Sequence, residues 1–223
     1  MQEKPVLSTQ NPSALLPLEE LAWLSQSLAV LDAALMPEWE GRYYSFTARW
    51  KEAERMASMR NGSGDDYFLW LSPAGAVLKG FAHESAVWKQ LRGKSDLVLS
   101  SLAQQLPPKL EPFLHEPAFS LEETTFCLWR QPLDPTWIMW QPPVPQEIRF
   151  FDGSADLLAL LDGNPVTYQA WAEDYYEIRP DLAALQAVYA HMPLTEELLR
   201  GLGSPRRRDE VAVELEEIGY PSV

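Results

Sequence analysis

The chain has 223 residues, a formal net charge of −14, 46% apolar residues and 22% charged residues. This length allows one large domain or two small ones, and the composition is typical of a folded protein. No stretch approaches the roughly 18 consecutive apolar residues of a bilayer span, and Met1–Pro5 does not resemble a signal peptide. The negative charge argues against nucleic-acid binding, because phosphate contacts need clustered Lys and Arg. We expect a cytoplasmic protein that binds neither membranes nor nucleic acid.

The N-terminal region divides at residue 16. Residues 1–16 show no periodicity and are predicted to form a flexible arm. Residues 17–223 are predicted to form one α+β domain with a soft boundary near residues 142–153. The domain begins with a helix that ends at Pro37, because six leucines recur at spacings of three and four: Leu18, Leu21, Leu24, Leu28, Leu31 and Leu35.

Four short segments rich in aromatic and branched residues follow this helix. Asn61-Gly62 is typical of a hairpin turn, and Ser72-Pro73-Ala74-Gly75 is typical of a type I turn. The pattern therefore predicts an antiparallel meander with strands at residues 42–47, 55–60, 66–71 and 76–81. In an alternative interpretation, residues 50–55 form a helical turn.

The rest of the chain is predicted from similar patterns. A helix over residues 97–106 ends at Pro107, and a Pro-rich segment of unassigned role covers residues 107–145. Further strands are predicted at residues 124–130, 137–140 and 148–151, and the chain after Gly153 is mostly helical. Residues 206–217 fit either a helix or a strand. The predicted fold class is α+β, with an antiparallel β-meander packed against the N-terminal helix and a mainly helical C-terminal part.

Chemically reactive side chains concentrate in the meander, at Asp65, Asp66, His83 and Glu84. Two adjacent carboxylates near a hairpin tip are a candidate site for a divalent cation. His83 is a candidate general base oriented by one of the two aspartates, if the meander brings them together. The simpler interpretation is a polar hairpin turn and a histidine that fixes a strand end.

Other catalytic signals are missing from the sequence. His115 and His191 have no metal-ligand spacing with another His or Cys, and no nucleophile elbow, zinc-protease or phosphate-loop motif occurs. We therefore predict no bound metal or cofactor. The lone Cys127 lies in an apolar run and is predicted to be a buried, unreactive thiol.

The charge is unevenly distributed along the chain. Residues 41–95 carry nine Lys and Arg against five Asp and Glu, whereas residues 110–205 carry four against fifteen. This asymmetry fits either ordinary solubility or an acidic face for a basic partner.

One predicted helix in the acidic half combines aromatic and acidic stripes. Its candidate partner-binding residues are Trp171, Glu173, Asp174 and Glu177. Trp129, Trp137 and Trp140 are either further partner anchors or core residues.

The stretch from Tyr43 to Ser85 contains MASMRNGSGDDYF at residues 56–68 and GFAHES at residues 80–85. It is similar to a segment of uncharacterised bacterial proteins with no assigned activity. The resemblance implies a bacterial cytoplasmic protein and assigns no catalytic role to any residue.

Taken together, these patterns favour a non-enzymatic, protein-binding role, such as the masking of a basic partner in the manner of immunity proteins. The alternative is a metal-dependent hydrolase or phosphoryl-processing enzyme built on Asp65, Asp66, His83 and Glu84. A third hypothesis is a structural subunit that uses the leucine face of the first helix. The sequence does not predict the oligomeric state.

Overall fold

The computed structural model describes residues 6–221. The helices within this range are α1 (Leu18–Leu35), α2 (Ala86–Leu91), α3 (Ser95–Gln105), α4 (Ser154–Leu157), α5 (Pro165–Tyr175), α6 (Leu182–Tyr189), α7 (Glu196–Leu202) and α8 (Arg208–Ile218). The strands are β1 (Tyr44–Lys51), β2 (Glu54–Arg60), β3 (Asp66–Ser72), β4 (Gly75–Phe81), β5 (Phe126–Arg130) and β6 (Ile138–Met139).

The strands form an antiparallel sheet of six, in the order of the chain. An N-terminal helix precedes the sheet and a helical C-terminal part follows it, which confirms the predicted α+β class. None of the helices within residues 6–221 is long and apolar enough to cross a membrane.

The described residues divide into two compact units. The first unit contains residues 6–18 and 60–159, and the second contains residues 19–59 and 160–221. The prediction of one domain over residues 17–223 stays a prediction.

The core of the first unit lies on strands β3 to β5. All seven residues of β4 are buried, and β4 pairs with β3 from Ser72–Gly75 to Asp66–Phe81. Trp129, Trp137 and Trp140 are at most 4% exposed, so these tryptophans fill the core and do not form a surface anchor.

Residues 7–9 of the predicted N-terminal arm are packed, and the flexibility of the arm as a whole stays a prediction. Leu7, Ser8 and Thr9 are buried. The Thr9 hydroxyl donates to Asp152 Oδ2 at 2.5 Å, and its N–H donates to Ser154 Oγ at 3.0 Å. These buried hydrogen bonds hold residues 7–9 in place. No pattern in the sequence of residues 1–16 predicts them. Residues 1–5 of the predicted arm lie outside the described residues.

In the second unit, α1 is buried around most of its circumference, and its last three turns contact C-terminal segments. Ser27 Oγ donates to the Val188 carbonyl, and Ser204 Oγ donates to the Ala34 carbonyl.

Strands β1 and β2 pair from Tyr44–Met59 to Lys51–Glu54, with a bulge after Thr47. The reversal at Glu52–Ala53 is a tight turn, so the alternative of a helical turn over residues 50–55 is wrong.

Two other local predictions are settled by backbone hydrogen bonding. Residues 148–151 are not a strand, since a 3₁₀ helix covers Gln146–Ile148 and the Phe151 carbonyl accepts the N–H of Ala86. Within residues 206–217 the chain is helical from Arg208 onward, as part of α8, and is not a strand. Asp209 and Glu210 lie in its first turn, where carboxylates favour the helix dipole, and Gly219 ends it at φ +72°.

Candidate functional site

The hairpin loop between β2 and β3 is fixed by Asn61. Its Oδ1 accepts the N–H groups of Ser63 at 2.8 Å and Asp65 at 3.0 Å. Its Nδ2 donates to Asp65 Oδ2 at 2.8 Å. Gly64 completes the loop at φ +104°, a conformation that L side chains rarely adopt. The loop thus holds the Asp65 carboxylate in one orientation.

This carboxylate fixes the imidazole of His83 in the first unit. Asp65 Oδ1 accepts the His83 N–H at 2.8 Å and pairs with its Nδ1 at 2.7 Å. Burial raises the pKa of Asp65, but the hydrogen bonds from His83 and Asn61 outweigh it and leave that pKa below its ordinary value. The His83 side chain is 42% exposed, and its Nε2 lies 4.0 Å from Glu84 Oε1. The structure therefore brings three of the four predicted residues together.

The fourth residue, Asp66, takes part in a different interaction. Its Oδ1 pairs with Nζ of Lys79 at 3.2 Å, and the Lys79 side chain is fully buried. Burial lowers the pKa of Lys79, and the charge and hydrogen bond of Asp66 oppose that effect. The ammonium group also lies 5.6 Å from the centre of the Phe68 ring and 5.8 Å from that of Phe81. Asp65 is the last residue of the loop and Asp66 the first residue of β3, and their side chains have separate partners.

A surface cleft of about 520 Å³ lies beside the Asp65–His83 pair. Its charged lining residues are Asp65, Glu84, Lys89 and Asp156. Phe150 and Phe151 also line it and are 50% and 67% exposed. Gly153 packs directly against Ala82 in the lining of the cleft. A Cβ atom at position 153 would lie 2.2 Å from the Cβ of Ala82, so only glycine fits there. The cleft thus combines carboxylates, one ammonium group and two exposed aromatic rings.

The residues of this region do not fit a metal centre. Within residues 6–221, no group of three or more His, Cys, Asp or Glu side chains is arranged to hold a metal ion. Asp66, needed for the predicted cation site, is paired with Lys79. Asp65 is already occupied by His83 and Asn61.

The predicted partner-binding residues of the second unit lie on and just after α5. Trp171 stacks on Tyr175 with ring centres 5.0 Å apart and an interplanar angle of 11°. Tyr43 contacts both rings edge-on, at 5.0 Å from each. Tyr175 is 41% exposed, and Tyr43 and Trp171 are half-buried. We call Tyr43, Trp171 and Tyr175 the aromatic patch.

Acidic side chains follow the aromatic patch along the chain. Glu173, Asp174 and Glu177 are exposed, and Glu173 forms an ion pair with Arg179. The structure therefore places all four predicted residues at the same end of α5 and adds Tyr43, which sequence spacing does not connect to this helix.

A buried carboxylate supports the aromatic patch through main-chain N–H groups at the start of β1 and just before it. Asp32 on α1 is fully buried, and its Oδ2 accepts the N–H groups of Tyr43 at 2.6 Å and Tyr44 at 2.7 Å. Its Oδ1 accepts the Tyr168 hydroxyl at 3.4 Å. Burial raises the pKa of Asp32 to about 7, although these hydrogen bonds lower it. The sequence signal for this residue is a single carboxylate within the apolar run from Leu28 to Leu35.

Comparisons with known proteins found no significant similarity. No protein-family model matches the chain, and neither the curated proteins nor the solved structures contain a significant match.

Proposed function

We propose that the protein binds a basic partner protein through the aromatic patch and the acidic side chains beside it. The observation that carries this proposal is the contact of Tyr43, Trp171 and Tyr175 at the end of α5 that also carries exposed Glu173, Asp174 and Glu177. Tyr and Trp are the commonest hot-spot residues of protein interfaces, since they bury a large area with few rotatable bonds.

The charge of the second unit supports a basic partner. Residues 19–59 and 160–223 of the chain contain 19 Asp and Glu against 9 Lys and Arg. An excess of one sign accelerates the association of oppositely charged proteins and makes it sensitive to salt. A role like that of an immunity protein, which masks a basic toxin, is the specific form of this proposal.

The proposal is tested by immobilising the protein, passing a cell lysate over it at low salt and eluting the retained proteins at high salt. The site variant is Asp174→Lys with Glu177→Lys, and the matched control is Glu216→Lys with Glu217→Lys, which makes the same charge change on exposed α8. We expect a basic protein that is retained by the wild type and the control, lost from the site variant and eluted by salt. Equal capture by both double variants would exclude this surface.

A second candidate function is acid–base catalysis by the Asp65–His83 pair, at the edge of the cleft that Asp65 lines in the first unit. The specific observation is the 2.7 Å contact between Asp65 Oδ1 and His83 Nδ1, which is the arrangement that orients an imidazole as a general base. Lys89, which lines the cleft together with Asp65, supplies a positive charge for an anionic substrate such as a phosphate ester. Ser85 Oγ accepts the Trp88 N–H as the cap of α2, so we assign activation of water to His83 and no nucleophile to the protein.

Hydrolysis of p-nitrophenyl phosphate and p-nitrophenyl acetate tests this second candidate. We expect turnover that His83→Gln and Asp65→Asn abolish and that His115→Gln leaves unchanged, because His115 is 73% exposed and pairs only with Glu111 among the described residues. Turnover that is absent in the wild type, or equal in all variants, would contradict it.

A further inference from the structure

Strand β6 is the last strand of the sheet, and its outer edge carries main-chain groups that β5 does not use. The order of strands within the described residues places β5 on one side of β6 and no strand on the other. Such an edge offers N–H and C=O groups to an added strand.

The register of β6 identifies these groups. Leu128 pairs with Met139 and Trp129 with Ile138, and the Trp140 N–H donates to the Cys127 carbonyl at 2.8 Å. In an antiparallel pair, residues alternate between those that bond the neighbouring strand and those whose N–H and C=O point away from it. Because Trp140 bonds β5, the N–H and C=O of Met139 point to the outer edge, whereas those of Gln141 are already bonded by the Gln105 side chain of α3.

A cleft of about 450 Å³ borders this edge in the first unit. Ile138 and Met139 form one side, and its other lining residues are Thr9, Gln10, Pro12, Gln141, Gln146, Arg149 and Phe150. Ile138 is 43% exposed, so an apolar side chain is also available at the edge. The volume falls in the range of about 300–1,000 Å³ that is usual for ligand sites.

The lining of this cleft contains one formal charge, which is positive, in a chain whose net charge is −14. Arg149 is held by two hydrogen bonds, from its Nε to the Val144 carbonyl at 3.2 Å and from its Nη1 to Gln141 Oε1 at 2.6 Å. No Asp or Glu among residues 6–221 forms a salt bridge with it. A guanidinium fixed in this way is suited to bind a carboxylate through its remaining N–H groups.

We propose that β6 receives an extended segment of a partner protein, which adds a strand at Met139 and places an acidic side chain on Arg149. Main-chain hydrogen bonds provide the affinity in this mode, and the side chain on Arg149 provides the selectivity. The proposal is independent of the aromatic patch, which lies in the second unit.

NMR titration of the full-length, isotope-labelled protein with two pentapeptide libraries tests the proposal. Both libraries are acetylated and amidated and contain Val, Ile, Thr, Tyr or Phe at four positions. The central residue is Glu in one library and Lys in the other. We expect saturable shifts of the Met139 amide and the Arg149 Nε–H with the Glu library, and at least tenfold weaker binding of the Lys library.

Two controls separate the strand pairing from the charge. N-methylation of the peptide backbone should abolish binding, because it removes the donors of the added strand. Arg149→Gln should remove the preference for Glu over Lys, whereas Arg92→Gln, at an exposed arginine of the first unit, should not.

Three results would overturn the proposal. The first is an unshifted Met139 amide at millimolar concentrations of both libraries. The second is equal binding of the two libraries by the wild type. The third is a Met139 shift that depends on protein concentration without peptide, which would assign the edge to a second copy of this chain.

Discussion

Two buried charged side chains, Lys79 in the first unit and Asp32 in the second, are compensated in opposite ways. In the first unit, the buried ammonium of Lys79 is compensated by a carboxylate of opposite charge, Asp66. In the second unit, the buried carboxylate of Asp32 is hydrogen-bonded by main-chain N–H groups and a tyrosine hydroxyl. An ion pair keeps both members charged, whereas dipoles only partly offset the desolvation of a lone carboxylate. The two regions should therefore respond differently to substitution and to pH.

Removal of the carboxylate of the ion pair should have the largest effect. Asp66→Ala leaves the Lys79 ammonium buried without this partner; such a loss costs about 3–5 kcal/mol in a fully buried pair, and we expect less here because Asp66 is 26% exposed. Lys79→Met removes the charge and keeps the volume, so we expect it to be nearly neutral or stabilising. Chemical denaturation of both variants measures the difference.

The pH dependence of Asp66→Ala provides a check on this reasoning. The deficit should shrink as pH rises toward the ordinary lysine pKa, because deprotonated Lys79 is less costly to bury. A deficit that is constant with pH would assign the loss to packing and not to charge.

Substitution of Asp32 should have the next largest effect. Asp32→Ala leaves the N–H groups of Tyr43 and Tyr44 without their acceptor, and each such loss costs about 1–3 kcal/mol. Asp32→Asn keeps an acceptor at the same position and should lose less. Denaturation at pH 5 measures both.

Asp32 should also make the second unit less stable as pH rises. Its pKa is raised from 3.8 to about 7 in the folded state, so between these values the folded protein binds a proton that the unfolded chain releases. The contribution of Asp32 to the free energy of unfolding is therefore complete below pH 3.8 and decreases as the pH rises to about 7. The difference in free energy of unfolding between the wild type and Asp32→Asn isolates this effect. If that difference does not change with pH, Asp32 does not titrate in this window.

The hydrogen bond between Asp65 and His83 should contribute a smaller amount. A double-mutant cycle with Asp65→Ala and His83→Ala should give a coupling of about 1 kcal/mol, because both side chains are partly exposed. The pKa of Asp65 is lowered, so its contribution is present above pH 3.8 and is lost on acidification. A coupling energy near zero would mean that Asp65 stabilises the fold only through its hydrogen bonds with the main chain and with Asn61.

The smallest effect on stability should come from Tyr175→Ala. Tyr175 is 41% exposed and packs on Trp171, so we expect a loss of about 1 kcal/mol or less. A large loss of partner binding in a variant of nearly unchanged stability would support the aromatic patch as an interaction site. Binding and denaturation of the same preparation check this.

The class of fold and most elements could be predicted from periodicity and turn chemistry. The leucine spacing identifies α1, and Pro37 marks its end within two residues. The Asn-Gly and Pro-Ala-Gly turns identify the hairpins of β2 to β4. These signals are local, so they survive without knowledge of the tertiary structure.

The features that the sequence did not predict have a shared physical cause, which is contact between distant parts of the chain. Residues 148–151 look like a strand by composition, but the Phe151 carbonyl is bound by the distant N–H groups of Ala86 and Val87. The packing of Thr9 depends on Asp152 and Ser154, more than 140 positions away. For the candidate sites, the spacing did suggest His83 with an aspartate but not which one. It gave no indication that Tyr43 joins Trp171, because that contact also bridges distant parts of the chain.

The discontinuity of the second unit has a consequence for synthesis on the ribosome. Helix α1 has buried apolar residues, yet its hydrogen-bond partners include Val188, Ser204 and Ile218, which are translated long after it. At about 5–20 residues per second, the leucines of this helix remain without these contacts for many seconds while residues 60–159 of the first unit are synthesised. The early part of the chain must therefore stay soluble without its final contacts, and a premature stop after residue 159 would leave its apolar surface exposed to aggregation.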